Sequence, residues 1–269
     1  MDPKGQAGIL RAGAGMCSSC TLLSAHYRLV HPDGKEATAH EGVYIHHMTS
    51  FLSPKNSSNP IGGLSSGGGS IGGAAYFIDR GEDSGQTDTI FTSHDGTFNS
   101  GYHIVSKPSI TVSYDFVNYE DSPRQLHLEL EYEYMDGIVG QDAGHTLKSV
   151  AGSPKTSGKS TGSMTVSRAT TIMWARGHLH AGGDSMTLKV NGVVKCVSKP
   201  TYDSEGVITT MSICPESIPL KARDAITIES VYDTTKHPLR KATDGSGHGA
   251  HGVLGGSDVM GMFAMSYTT

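Results

Sequence analysis

Residues 126–134 read LHLELEYEY, an unbroken alternation of apolar and polar side chains. On an extended backbone Leu126, Leu128, Leu130, Tyr132 and Tyr134 fall on one face, and His127, Glu129, Glu131 and Glu133 on the other. That period of two predicts a half-buried β-strand. Ile110, Val112, Tyr114 and Phe116 alternate in the same way, as do Ile226, Ile228 and Ser230. Met186 to Val190, then Asn191-Gly192, then Val193 to Val197 predicts a hairpin, because Asn-Gly supplies the positive φ angles of a type I′ turn. No segment of ten or more residues follows the 3.6-residue period of a helix. Short strands separated by Gly, Ser, Asn and Pro clusters predict an all-β chain of antiparallel sandwiches rather than a parallel sheet with crossover helices.

The chain has 269 residues, of which 35 are glycine and 36% hydrophobic, so it is globular and rich in turns. The glycines keep no three-residue period, which excludes collagen, and the apolar segments exclude simple disorder. With 21 Lys+Arg against 26 Asp+Glu the formal net charge is -5, which gives no electrostatic reason to expect nucleic acid or an anionic membrane as partner. No run approaches the ~18 apolar residues of a membrane helix, and the first fifteen residues lack the apolar core of a signal peptide. These features suit a soluble protein, or a mature chain whose signal has been removed.

Two stretches interrupt the strands. Residues 56–73 are Gly/Ser-rich and read as a surface loop, whereas residues 140–163 are polar and cationic with strands on both sides. Taking 141–163 as a linker divides the chain into residues 1–140 and 164–269, each long enough for a sandwich of ~100 residues.

Four cysteines permit two disulfides. Cys196 and Cys214 each end a β-like segment, which suits a bridge between strands. Cys17 and Cys20 form a C-x-x-C that reads either as a local disulfide loop or as half of a zinc site, and no second such pair completes a tetrahedral set. Asn56-Ser57-Ser58 is a glycosylation sequon in a polar loop.

The 14 histidines fall into informative patterns. In RGHLHAGG, residues 176–183, His178 and His180 stand at i and i+2, so both imidazoles leave the same face of a strand, with small residues beyond them that leave room for a metal. In VYIHHMTSF, residues 43–51, His46 and His47 are adjacent and would point to opposite faces of a regular strand. They can share one ion only at a bulge or a strand end. Otherwise one is buried and hydrogen-bonded and the other exposed. Further along, His248 and His251 precede a Gly-rich bend and Met260, Met262 and Met265. A thioether is a soft ligand that favours copper(I) over zinc. Met262 and Met265 read as core filling, and strand parity puts Met260 on the face of Met262.

Taken in order, CSSCTLLSAHY, GVYIHHM, FNSGYHI, RGHLHAGG, the pair SKPTY and MSICP, and GSDVMGMF resemble the copper type II monooxygenases, the family of peptidylglycine alpha-hydroxylating monooxygenase. The resemblance is closest to its plant and fungal relatives, the stress up-regulated nodulin family. It runs from Cys17 to Tyr267. It implies two jelly-roll-like β-sandwich domains facing each other across a solvent-filled cleft, each with one copper. Residue by residue, it implies an oxygen-activating copper held by His178, His180 and Met260, and an electron-supplying copper held by His46 and His47. The family's third histidine for the second copper lies on a later strand, which here reads SITVSYDFVNY and has no histidine. His94, His103 and Asp115 are the alternatives, and His251 lies near a further family histidine.

The expected function is therefore copper-dependent oxidation or hydroxylation of a small organic substrate by dioxygen, with one or two coppers and an external reductant such as ascorbate. The peptide-binding residues of the amidating enzyme have no match, so neuropeptide amidation is not expected. A secreted copper-binding or sensing protein without turnover is the alternative. A cupin-like site using His178, His180 and Asp184 ranks below both, since it expects Glu and a later histidine. Localisation is expected to be extracellular.

Overall fold

The computed structural model describes residues 1, 3, 5–13, 15–55, 59–61, 74–81, 87–93, 96, 99–150, 157–239 and 260–269. The described residues form an all-β protein with one short 3-10 turn and no α-helix. The first half carries β1 (Gln6–Gly13), β2 (Cys20–Val30), β3 (Val43–Ser53), β4 (Ala75–Gly81), β5 (Thr89–Ile90), β6 (Ser100–Ile104), β7 (Ser109–Asn118) and β8 (His127–Asp136). The second carries β9 (Gln141–Ser149), β10 (Gly158–Thr165), β11 (Thr170–Leu179), β12 (Gly183–Val190) and β13 (Val193–Ser198). It continues with β14 (Pro200–Tyr202), β15 (Ile208–Met211), β16 (Ile218–Leu220), β17 (Ala225–Tyr232) and β18 (Gly261–Thr268).

The alternating segments behave as their patterns require. β8 lays Leu128, Leu130 and Tyr132 against the first core, although Tyr134, near the strand's end, is half exposed. Ile226, Ile228 and Ser230 of β17 are buried. β12 and β13 form the Asn191-Gly192 hairpin, with φ of 50° and 81° at the two turn residues, as a type I′ turn demands.

Two four-stranded sheets, β1-β7-β3-β4 and β10-β17-β12-β13, pack on one eight-stranded sheet ordered β16-β11-β18-β9-β6-β2-β5, with β8 also on β2. Each end of the long sheet thus makes one sandwich. The first encloses Leu22, Phe77, Phe91 and Tyr102, the second Leu179, Met186, Leu188 and Phe263.

The stretch read as a linker is different in the structure. Residues 141–163 contain β9 and most of β10, and residues 151–156 between them lie outside the described residues. β9 joins the halves: it pairs with β18 on one side and, in parallel, with β6 on the other. A strand covered on both faces needs no alternation, which is why its pattern resembled a loop.

β11, β18 and β9 are covered in this way. Ala175, Leu179, Phe263, Met265 and Tyr267 face the second core. Their opposite face carries Leu147, Trp174, Met262 and Ala264, which form a third apolar cluster with Tyr76 of β4 and Ile90 of β5. All eight residues of β18 are buried, in line with this double coverage. Met262 and Met265 are core residues, as expected.

Both cysteine pairs are disulfides. Cys17–Cys20 closes a local loop, and Cys196 of β13 reaches Cys214, just beyond β15. β13 and β15 are not ladder partners; Cys214 is held by its N–H to the Ala175 carbonyl of β11. The sequon at Asn56 lies outside the described residues.

Candidate metal centre

β11 presents Trp174, Arg176, His178 and then His180 toward the first half, and the ring centroids of His178 and His180 are 5.2 Å apart. Their shared face follows from strand parity. β3 presents His46 and His47 from the other side. The ladder between β3 and β7 shifts register between Ile45 and His47, so the strand bulges at His46. The extra residue turns both imidazoles to one place, with ring centroids 4.1 Å apart.

The two pairs meet. His47 Nε2 lies 2.9 Å from His180 Nε2 and 3.3 Å from His178 Nε2. One ring nitrogen from each of His46, His47 and His180 lies within 4.8 Å of the other two. The resemblance assigns these pairs to separate coppers across solvent; at the histidines the facing strands are instead in side-chain contact and form one cluster.

Hydrogen bonding alone serves this arrangement poorly, because a neutral imidazole has one N–H and one lone pair, and His47 Nε2 has two ring nitrogens beside it. A cation would accept every inward lone pair. Bonds of ~2.0 Å at tetrahedral angles set ligand nitrogens about 3.3 Å apart, and a right angle sets them about 2.8 Å apart. The separations of His47 from His178 and from His180 are close to these, and His46 stands within 4.8 Å. Burial, followed by the neighbouring His46, His180 and His178, pushes the His47 pKa well below its ordinary value. His47 is therefore kept neutral, the state a metal ligand requires. Imidazole donors suit copper, zinc, iron and nickel alike, so the donor set fits a transition metal without choosing it.

The ladder of β11 and β18 pairs His178 with Met262 and Leu179 with Gly261. Continuing it by one residue sets Met260 opposite His180, on the same face. Met260 is partly buried against the third apolar cluster. Gly261, between Met260 and Met262, lets β18 pack closely on the opposite sheet, since a Cβ there would lie 2.6 Å from Ser230 Cβ and 3.2 Å from Met186 Sδ.

A buried polar network lies beside the histidines and carries no sequence motif. Asp79 of β4 accepts from His145 Nε2 of β9 at 2.9 Å, and Arg176 stands 3.9 Å from its other oxygen. Ser266 Oγ lies 3.1 Å from His145 Nδ1. Burial alone would raise the Asp79 pKa, but the His145 hydrogen bond and the charges of His145, Arg176 and His178 together hold it below the usual value. Since the carboxylate only accepts, Nε2 of His145 carries a proton.

The remaining sequence candidates lie elsewhere. The His103 ring has its Nε2 3.0 Å from the Val139 carbonyl and its Nδ1 3.8 Å from Asp142. Asp115 is the ladder partner of His47 on β7 but is not one of the clustered residues. Asp184 is paired with Lys236 at 2.7 Å and is not one of the clustered residues. His94, His248 and His251 lie outside the described residues. No protein-family model matches the chain, and no curated protein matches it significantly.

Proposed function

We propose that this is a copper protein in which a centre at the seam of the two halves serves oxidation or hydroxylation of a small organic substrate by dioxygen. The observation that carries the metal reading is the convergence of His46, His47 and His180 from both halves, with His178 beside His47. The choice of copper, and of Met260 as a soft donor, rests on the resemblance to the copper type II monooxygenases. Bound copper would supply one-electron chemistry with dioxygen that no side chain here possesses.

The chain's own contribution is to hold His47 neutral, to fix His178 on, and His180 just beyond, a strand covered on both faces, and to bind the two halves through Asp79, His145 and Arg176. The two disulfides suit an oxidising compartment, which supports an extracellular location.

Copper uptake without turnover is the second reading. The closeness of the centre favours it: His178 is 4% exposed and His180 7%, and their ring nitrogens already touch His47. Copper-loaded protein mixed with ascorbate in an oxygen electrode separates the two. Oxygen uptake that disappears in His178→Ala supports the oxidoreductase. Stoichiometric copper with no uptake beyond that of free copper supports the binding protein, and no copper retained after desalting overturns both.

A further inference from the structure

Tyr232, the last residue of β17, is buried at 2% exposure. Its ladder neighbours are Gly158 on β10 and Gly183 on β12, so neither ladder partner sets a side chain beside its ring and the phenol can extend across the sandwich. At the far side its hydroxyl donates to the Met260 carbonyl at 2.6 Å. The same oxygen accepts the Met260 N–H at 3.1 Å and the His180 N–H at 3.0 Å. One donated and two accepted bonds are the ordinary capacity of a phenol.

These three bonds take the place of a ladder step. The β11–β18 pairing stops at Leu179 and Gly261, and the next pair would be His180 with Met260. The His180 N–H and both backbone groups of Met260 go instead to one oxygen held from the opposite sheet, while the His180 carbonyl accepts from the Gly183 N–H. Ser230, two residues earlier on the same face of β17, lies against Gly261 and keeps β18 close enough for the phenol to reach.

We propose that Tyr232 is a positioning residue for the metal centre, holding the Met260 backbone level with that of His180 so that the thioether is delivered beside the imidazoles. This rests on the copper reading above. Removing the hydroxyl would leave two buried N–H groups and one carbonyl without their partner, at the point where the methionine joins the sheet.

The test is X-ray absorption of copper(I)-loaded protein, comparing wild type, Tyr232→Phe and Met260→Ile. The expected result is a sulfur shell in wild type that is lost in both variants, while the nitrogen shell and the copper stoichiometry persist. A role confined to stability would lower the melting temperature of Tyr232→Phe and leave the sulfur shell in place, which overturns the proposal. Wild-type copper without a sulfur shell also overturns it but leaves the copper reading standing. Wild type that binds no copper overturns both. Should Tyr232→Phe not fold, amide exchange in the wild-type apoprotein serves instead: the N–H groups of His180 and Met260, donated to one oxygen, should exchange together, and widely different protection sinks the clamp.

Discussion

The Nε2 atoms of His47 and His180 lie 2.9 Å apart, although 133 positions separate the two residues in the chain. Each comes from a different half, so the centre exists only when both halves have folded and docked.

A shared centre predicts shared losses. His47→Ala and His180→Ala should each lower copper affinity by at least the about 10- to 100-fold that outer partners of a metal site cost. Competition with a chromophoric chelator would measure it. A variant that loses half of the bound copper and keeps the rest at full affinity would restore two independent sites.

Asp79→Asn should destabilise the protein by about 3 kcal/mol, because it leaves His145 and Arg176 buried without their carboxylate. The native Asp79 pKa is depressed. Its contribution is therefore complete above the unfolded value of about 3.9 and is lost as pH falls through the native one. Urea unfolding of the apoprotein should show the gap between wild type and variant closing on acidification. A gap independent of pH would count against the pairing.

Gly261→Ala would drive a Cβ to 2.6 Å from Ser230 Cβ. Overpacking of this kind costs about 1–3 kcal/mol. Ser230→Gly in the same chain should recover part of the loss, read as a coupling energy in a double-mutant cycle. Additive effects would mean that the strands do not approach as closely as described.

The disulfides should contribute unequally. Cys196–Cys214 spans 18 positions and Cys17–Cys20 only 3. Loop-closure entropy gives about 3 kcal/mol for the former and about 2 kcal/mol for the latter. Chemical denaturation of the two Cys→Ala pairs tests the order, and a larger loss at Cys17–Cys20 would contradict it.

Much of the architecture was legible where one face of a strand meets water. Leu128 and Leu130, Ile226 and Ile228, and the Asn191-Gly192 turn are local signals, and the structure follows them. The pairing of His178 with His180 was legible for the same reason, and the bulge that lets His46 and His47 share a site was named as the condition for it. What failed is non-local. β9 is covered on both faces, so residues 141–149 carry no alternation and His145 drew no notice. Asp79, His145 and Arg176 come from three strands far apart in sequence, and no spacing rule links them. The third imidazole beside His46 and His47 was sought within the first half, whereas His180 reaches it from the second.

β18 has a consequence for how such a molecule is made. β9 and β11 leave the ribosome long before the strand that belongs between them, and until it arrives each has an open edge and an uncovered apolar face. The nascent chain therefore has a long interval in which these edges can pair wrongly, and protection by a chaperone would matter most then. The sulfur donor proposed for the metal centre arrives only with the strand that closes the sheet, so a centre holding that donor is completed after every histidine of the cluster has already been made.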